Sequence, residues 1–275
     1  MAMKLDNGLL AGIFLLGLML CAAPALAFDS DAVSAAAERI ATEAGTRRVV
    51  VIGEMHGTRE APAVTAALAR HYAGRGPVLV GLEVSRSEHA ALSAFMRSNG
   101  SAEARQAMRE GEFWSVLPEQ NDGRRTEDLL DLVDAVRQLR VAGRDVAVVP
   151  FDIGPDDWVD SATRDRDMAN YLRAAFQALP EGRMLVLTGN VHAMLKPPSM
   201  IDDGDYRTAT QLLVDLEPFS VHLTASSGAF WACGMGACGV RRMSGSAQTG
   251  VFGDTFHFQY ALPRYTVARL IGEEE

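Results

Sequence analysis

Four short apolar runs, each stopping at residues able to do chemistry, constrain this chain more than any other feature. Arg47-Arg48-Val49-Val50-Val51-Ile52 leads into Gly53-Glu54-Met55-His56, and Val78-Leu79-Val80-Gly81-Leu82 leads into Glu83. Val146-Ala147-Val148-Val149-Pro150-Phe151 leads into Asp152, and Met184-Leu185-Val186-Leu187-Thr188 into Gly189-Asn190-Val191-His192. Runs of this length and β-branched content, separated by helix-length segments, read as parallel strands buried on both faces. In open parallel sheets, ligands collect at the carboxyl ends of the strands. The terminal Glu, His, Glu, Asp and His side chains are therefore expected to share one polar pocket, although Asp152 serves equally well as a loop or capping residue.

The segments between the runs support an α/β fold with a mainly parallel central sheet flanked by helices. Residues 29–44 are alanine-rich, with Asp29, Ser30 or Asp31 available as a cap. Glu60 to Tyr72 and Thr126 to Val141 carry apolar residues at three-four spacing, and Gly74 and Gly143 follow them as stops. Ser161 opens a further helix through Leu179. Residues 99–123 are less periodic and contain Phe113, Trp114 and Pro118, which suits either a small helical cap over the strand ends or a long connection. Beyond Tyr206 the rhythm changes: Thr210 to Leu216, Ser220 to Thr224 and Thr255 to Tyr260 read as strands without long helices between them, so a mixed or antiparallel C-terminal part is predicted.

The first 27 residues read as an export signal, with Lys4, an apolar core from Leu9 to Cys21 and the small-residue site Ala25-Leu26-Ala27. The mature chain, residues 28–275, is then one α/β domain in the periplasm or outside the cell. The apolar core falls short of the about 20 residues that a membrane span requires. With 35 Asp and Glu against 26 Lys and Arg, the net charge of −9 argues against nucleic acid as a partner. Cys233 and Cys238 enclose Gly-Met-Gly-Ala, and in an oxidising compartment so close a pair is expected to form a disulfide. A redox pair with two intervening residues, or half of a zinc site, is the alternative this spacing does not match.

Glu54 and His56 stand two apart, so on an extended chain both point to the same side. A carboxylate beside an imidazole orients it and prepares it to take a proton from water. The same pair, with Glu83 and His192, also makes a mixed N/O set for a divalent metal ion. The sequence has no Gly-rich dinucleotide fingerprint, phosphate-binding loop, Gly-x-Ser-x-Gly elbow or His-Glu-x-x-His motif, which leaves water activation as the economical chemistry. His71, His89, His222 and His257 have no motif around them and are read as structural or surface residues. Trp114 and Trp158 suit a pocket wall or the core.

Four strings, Gly53-Glu54-Met55-His56-Gly57-Thr58-Arg59-Glu60, Gly81-Leu82-Glu83, Arg164-Asp165-Arg166-Asp167-Met168-Ala169 and Gly189-Asn190-Val191-His192, resemble the superfamily that joins erythromycin esterases, Tiki/TraB proteins and ChaN-like haem-binding proteins. The resemblance spans residues 47 to 195. It implies that His56 acts as base or metal ligand, that Glu54 and Glu83 are the acids of its pocket, that His192 is its second histidine, and that Arg164 or Arg166 is its basic residue. The expected function is therefore an exported esterase-like or metallopeptidase-like hydrolase acting on a small-molecule or peptide ester or amide, with a divalent metal optional. The alternative implied by the ChaN branch is a haem- or iron-binding uptake protein without catalysis, although no haem-attachment motif is present.

Overall fold

The computed structural model describes residues 28–154, 157–198, 204–234, 236–243, 250–252 and 254–272. The leader expected at residues 1–27 lies outside them. The strands are β1 (Val49–Glu54), β2 (Val78–Ser85), β3 (Val146–Asp152), β4 (Arg183–Gly189), β5 (Phe219–Ala225), β6 (Ala229–Gly234), β7 (Ala237–Arg242), β8 (Gly250–Phe252) and β9 (Phe256–Leu262). Seven of them form one sheet in the order β3-β2-β4-β1-β5-β9-β8, parallel throughout except that β8 runs against β9.

The helices α1 (Ser30–Ala44), α2 (Glu60–Ala73), α3 (His89–Arg97), α4 (Ala102–Arg109) and α5 (Glu127–Val141) precede β3; α6 (Ser161–Gln177), α7 (Asn190–Ala193) and α8 (Ala209–Leu212) follow it. Alternation along β1 divides the core. Val50 and Ile52 pack in the apolar cluster with α1, α2, α3 and α5, while Val49 and Val51 pack in the cluster with α6 and the short helices. Each fully buried branched side chain of this kind contributes about 1.5–3 kcal/mol of transfer free energy. Local signals agree with the packing: Asp29 caps α1 by accepting from the Asp31 and Ala32 amides, and the Thr126 hydroxyl caps α5 by accepting from Leu129 N at 3.0 Å.

This layering opens the crevice that positions the site. After β1 the chain enters α2 on one face of the sheet and proceeds to β2. After β4 it enters α7 and α8 on the other face and proceeds to β5. The chain thus diverges to opposite faces and directions between two adjacent strands, the arrangement that opens a binding crevice in doubly wound sheets. Glu54 and Gly189 face each other there in register.

Two parts of the C-terminal reading change. Thr210 to Leu216 is not a strand: α8 and a single 3₁₀ turn at Val214–Leu216 occupy it, because Thr208 caps the helix by accepting from Gln211 N at 3.1 Å. The strand expected from Thr255 is β9, which lies parallel to β5; the antiparallel pairs are β8 with β9 and a separate hairpin, β6 with β7. Cys233 and Cys238 are directly paired across that hairpin and form a disulfide, with Cα atoms 3.8 Å apart. Among the described residues no helix is long and apolar enough to cross a membrane.

Candidate functional site

Glu54, His56, Glu83, Asp152, Arg164 and His192 converge at the carboxyl edge of the sheet. His56 donates from Nδ1 to Glu54 Oε1 at 2.8 Å, and its Nε2 stands 3.7 Å from Glu83 Oε2, beyond a direct hydrogen bond. The ring lies so close over Gly189 that a Cβ at that position would fall 2.9 Å from Nε2. Glu83 is the hub. Its Oε2 accepts from Thr188 Oγ1 and Gly189 N, both at 2.7 Å, and its Oε1 accepts from Arg164 Nη2 at 2.6 Å.

His192 flanks the other side of the same carboxylate, with Nε2 3.9 Å from Glu83 Oε1. An arginine can only donate, so the 3.0 Å contact from Arg164 Nη1 makes His192 Nε2 an acceptor, and Nδ1 carries the proton donated to Asp165 Oδ1 at 2.8 Å. Asp165 is itself held by Tyr206 Oη at 3.0 Å and Ala209 N at 2.6 Å. Arg164 forks onto Asp152, with Nε to Oδ1 at 2.8 Å and Nη2 to Oδ2 at 2.7 Å. One helical residue thus ties the ends of β2, β3 and β4 together. Arg166, two positions along α6, is exposed and does not join them.

Arg124 completes the cluster, a member that the sequence reading did not identify. It donates from Nη1 to Asp152 Oδ2 at 2.7 Å and from Nε to Asp122 Oδ2 at 2.9 Å, and stands 3.3 Å from Glu83 Oε1. It stands directly after the irregular 99–123 segment, where only α4 and one 3₁₀ turn are regular. Phe113 and Trp114 anchor that segment in the core, and the Phe113 amide donates to Glu88 at 2.9 Å.

Charge balance sets the protonation of the cluster. For Glu83, burial alone would raise the pKa, but His56, His192 and the two guanidiniums outweigh it and hold the carboxyl well below the usual carboxylate range. Burial raises Glu54 despite its bond to His56. Burial would lower His56, yet the Glu83 charge and the Glu54 hydrogen bond reverse the direction and raise it. Asp122 is pulled down to about 2: burial opposes this, and the Arg124 charge and bond dominate.

Two spaces adjoin the cluster and share Arg124 in their linings. One is a cleft of about 390 Å³ whose walls include Phe113, Trp158, Asp152, Arg124 and Arg164. Trp158 is therefore a wall residue, 54 % exposed, whereas Trp114 is core. The other is a space of about 10 Å³ lined by Glu54, His56, Glu83 and Arg124. That is room for about one water molecule.

The donor atoms do not suit a divalent cation. Both Glu83 oxygens and both His192 nitrogens are already engaged, and two guanidiniums stand among them. Among the described residues no group of three or more His, Cys, Asp or Glu side chains is placed to hold a metal ion. As an axial haem ligand a histidine must present a free nitrogen, and both nitrogens of His192 are taken.

No protein-family model matches this sequence, and no curated protein matches it. Solved structures share its fold. A protein from Bacillus cereus aligns at a TM-score of 0.63 with 11 % identity, covering 89 % of this chain and 100 % of that one. An erythromycin esterase mutant, EreC in its open conformation, aligns at 0.62 with 11 % identity over 86 % of this chain and 95 % of that one. A succinoglycan biosynthesis protein aligns at 0.61 with 10 % identity, covering 85 % and 92 %. The chain therefore has an erythromycin esterase-like fold.

Proposed function

We propose that the protein is a metal-independent hydrolase of esters or amides in which His56 activates water. The observation that carries this reading is the one-water space lined by His56 together with Glu54, Glu83 and Arg124. Glu54 holds the ring so that Nδ1 keeps its proton and Nε2 is left as the basic nitrogen. The ionised Glu83 strengthens Nε2 as a base and stabilises the imidazolium formed when water surrenders its proton. The resulting hydroxide attacks the carbonyl carbon of a substrate lying in the cleft of about 390 Å³, and Arg124, in the lining of both spaces, stabilises the developing oxyanion; its collapse breaks the C–O or C–N bond as the His56 imidazolium returns its proton to the leaving alkoxide or amine. His192, fixed by its bonds to Asp165 and Arg164, holds Arg164 against Glu83 rather than exchanging protons. The fold shared with an erythromycin esterase supports hydrolysis as the reaction class.

The test is a panel of small esters and amides assayed with the wild type and His56→Ala. We expect His56→Ala to lose about 10²–10⁴-fold in kcat while keeping the wild-type circular dichroism spectrum. A chelator should leave wild-type turnover unchanged. Turnover that survives in His56→Ala, or that vanishes with chelation and returns with added metal, refutes the mechanism.

We further propose that the protein works after export. The leader-like residues 1–27 and the Cys233–Cys238 disulfide support an oxidising compartment. N-terminal sequencing of the exported form should begin near Phe28; a chain retaining Met1 in a membrane fraction overturns this.

A further inference from the structure

A second large space lies away from the candidate site. It is a groove of about 960 Å³ at the amino ends of the parallel strands, bordered by Arg47 before β1, Pro218 before β5 and His257 at the start of β9. Its remaining wall is α8 with the turn that follows it, where Leu212 and Val214 supply apolar surface; Val214 is 72 % exposed. The volume is within the range of sites for drug-sized ligands, about 300–1,000 Å³.

The polar end of this groove contains two donors facing each other without an acceptor between them. The Ser220 amide donates to His257 Nδ1 at 3.1 Å, so Nδ1 must be unprotonated and the ring proton sits on Nε2. That Nε2–H stands 3.2 Å from Arg47 Nη1, which is also a donor. Burial and the Arg47 charge both lower the His257 pKa, in keeping with a neutral ring. Both groups have further contacts that hold them at this end of the groove. His257 is stacked on Phe219 with ring centroids 5.7 Å apart, and the Arg47 guanidinium lies over the same ring while Nη1 donates to Pro218 O at 3.2 Å. Arg207 adds a third donor to the groove lining, against Glu217 as its single acid. Two donors this close are reconciled by one acceptor that both can reach, and an anionic oxygen is the acceptor that also offsets the arginine charge.

We infer that the groove binds a small amphipathic molecule whose anionic oxygen head, a carboxylate or a phosphate ester, is shared by Arg47 and His257 while its apolar body lies along Leu212, Val214 and Pro218. The site is separate from the hydrolytic cleft, since its strand residues lie at the opposite ends of β1 and β5. Occupying it requires no chemistry at His56.

The experiment is calorimetric titration of the purified protein with octanoate, octyl phosphate, inorganic phosphate and octanol. Octanoate or octyl phosphate should bind at least tenfold more tightly than octanol, and inorganic phosphate at least tenfold more weakly than the octyl ester. The tighter of the two amphiphiles identifies the head group. Arg47→Ala and His257→Phe, the latter keeping an aromatic ring against Phe219, should each weaken amphiphile binding by tenfold or more. Each variant, measured against its own ligand-free unfolding midpoint, should lose the increase that saturating octanoate gives the wild type. Octanol binding as tightly as octanoate, inorganic phosphate matching octyl phosphate, or either variant binding like wild type would overturn the inference.

Discussion

A histidine whose proton affinity is raised by its surroundings must lose that proton before it can act as a base. For His56, burial pulls the pKa down, and the Glu83 charge together with the Glu54 bond pulls it up further, so the net shift is upward. Its neutral, competent form therefore appears only above the ordinary histidine value of about 6.5. The acid limb of kcat/KM should accordingly have its midpoint above that value. Glu83→Gln removes the charge that raises His56, so the midpoint should move to lower pH even as the maximum rate falls. A pH profile of both proteins checks this, and an unmoved midpoint in Glu83→Gln contradicts the role given to the carboxylate. The same residues show how much of the site the sequence exposed. Glu54, His56, Glu83 and His192 were legible because strand ends in a parallel sheet must meet at one edge, and Asp152 belonged with them by the same logic. Arg124 was hidden, since it comes from an irregular segment where no periodicity assigns a direction to a side chain.

Among the elements, α6 contributes most to the cluster. Its first turn sets Arg164 and Asp165 side by side, one reaching the acids of β2 and β3 and the other reaching His192. Arg166 points elsewhere because residues two apart on a helix lie on different faces. Arg164→Ala leaves Glu83 and Asp152, both nearly buried, without their principal cation. Breaking a buried pair from one side costs about 3–5 kcal/mol, so urea unfolding should show a correspondingly lower midpoint. A loss under about 1 kcal/mol, typical of an exposed pair, would show the network to be solvent-screened. The helices and strands before Tyr206 were legible because each buries one apolar stripe or an entire apolar run. The segment from Thr208 to Leu216 was not, because its threonines and leucines suit a strand by composition. Its conformation is decided by the Thr208 cap and by the Ala209 amide that donates to Asp165. The β6–β7 hairpin escaped notice for a related reason: its residues are mostly half-exposed and show no clean alternation.

On the scale of the whole molecule, the loop carrying His56 is pinned by segments distant in sequence. Gly57, at φ +72°, donates to Gly123 O at 2.9 Å and accepts through its carbonyl from Trp231 N at 3.0 Å and Ala268 N at 2.9 Å. A side chain there would be strained by the backbone conformation and would also strike Trp231 O. Nearby, Arg59 N donates to Thr266 O at 3.0 Å, and Glu60 accepts from Thr266 N. The residue immediately after the proposed base is thus a crossing point for the Arg124 loop, the disulfide hairpin and the residues around 266–268. The consequence concerns the order of assembly. Loops that close over two hundred residues form late, after local helices and neighbouring strands have condensed. On dilution from denaturant, with the disulfide intact, helical signal should return before hydrolytic activity does. A chain ending at Pro263 should regain most of that signal and none of the activity, though every acid, histidine and arginine of the cluster is still present. Enzymatic competence is then a late report on completed folding, withheld from any partly assembled form of the chain.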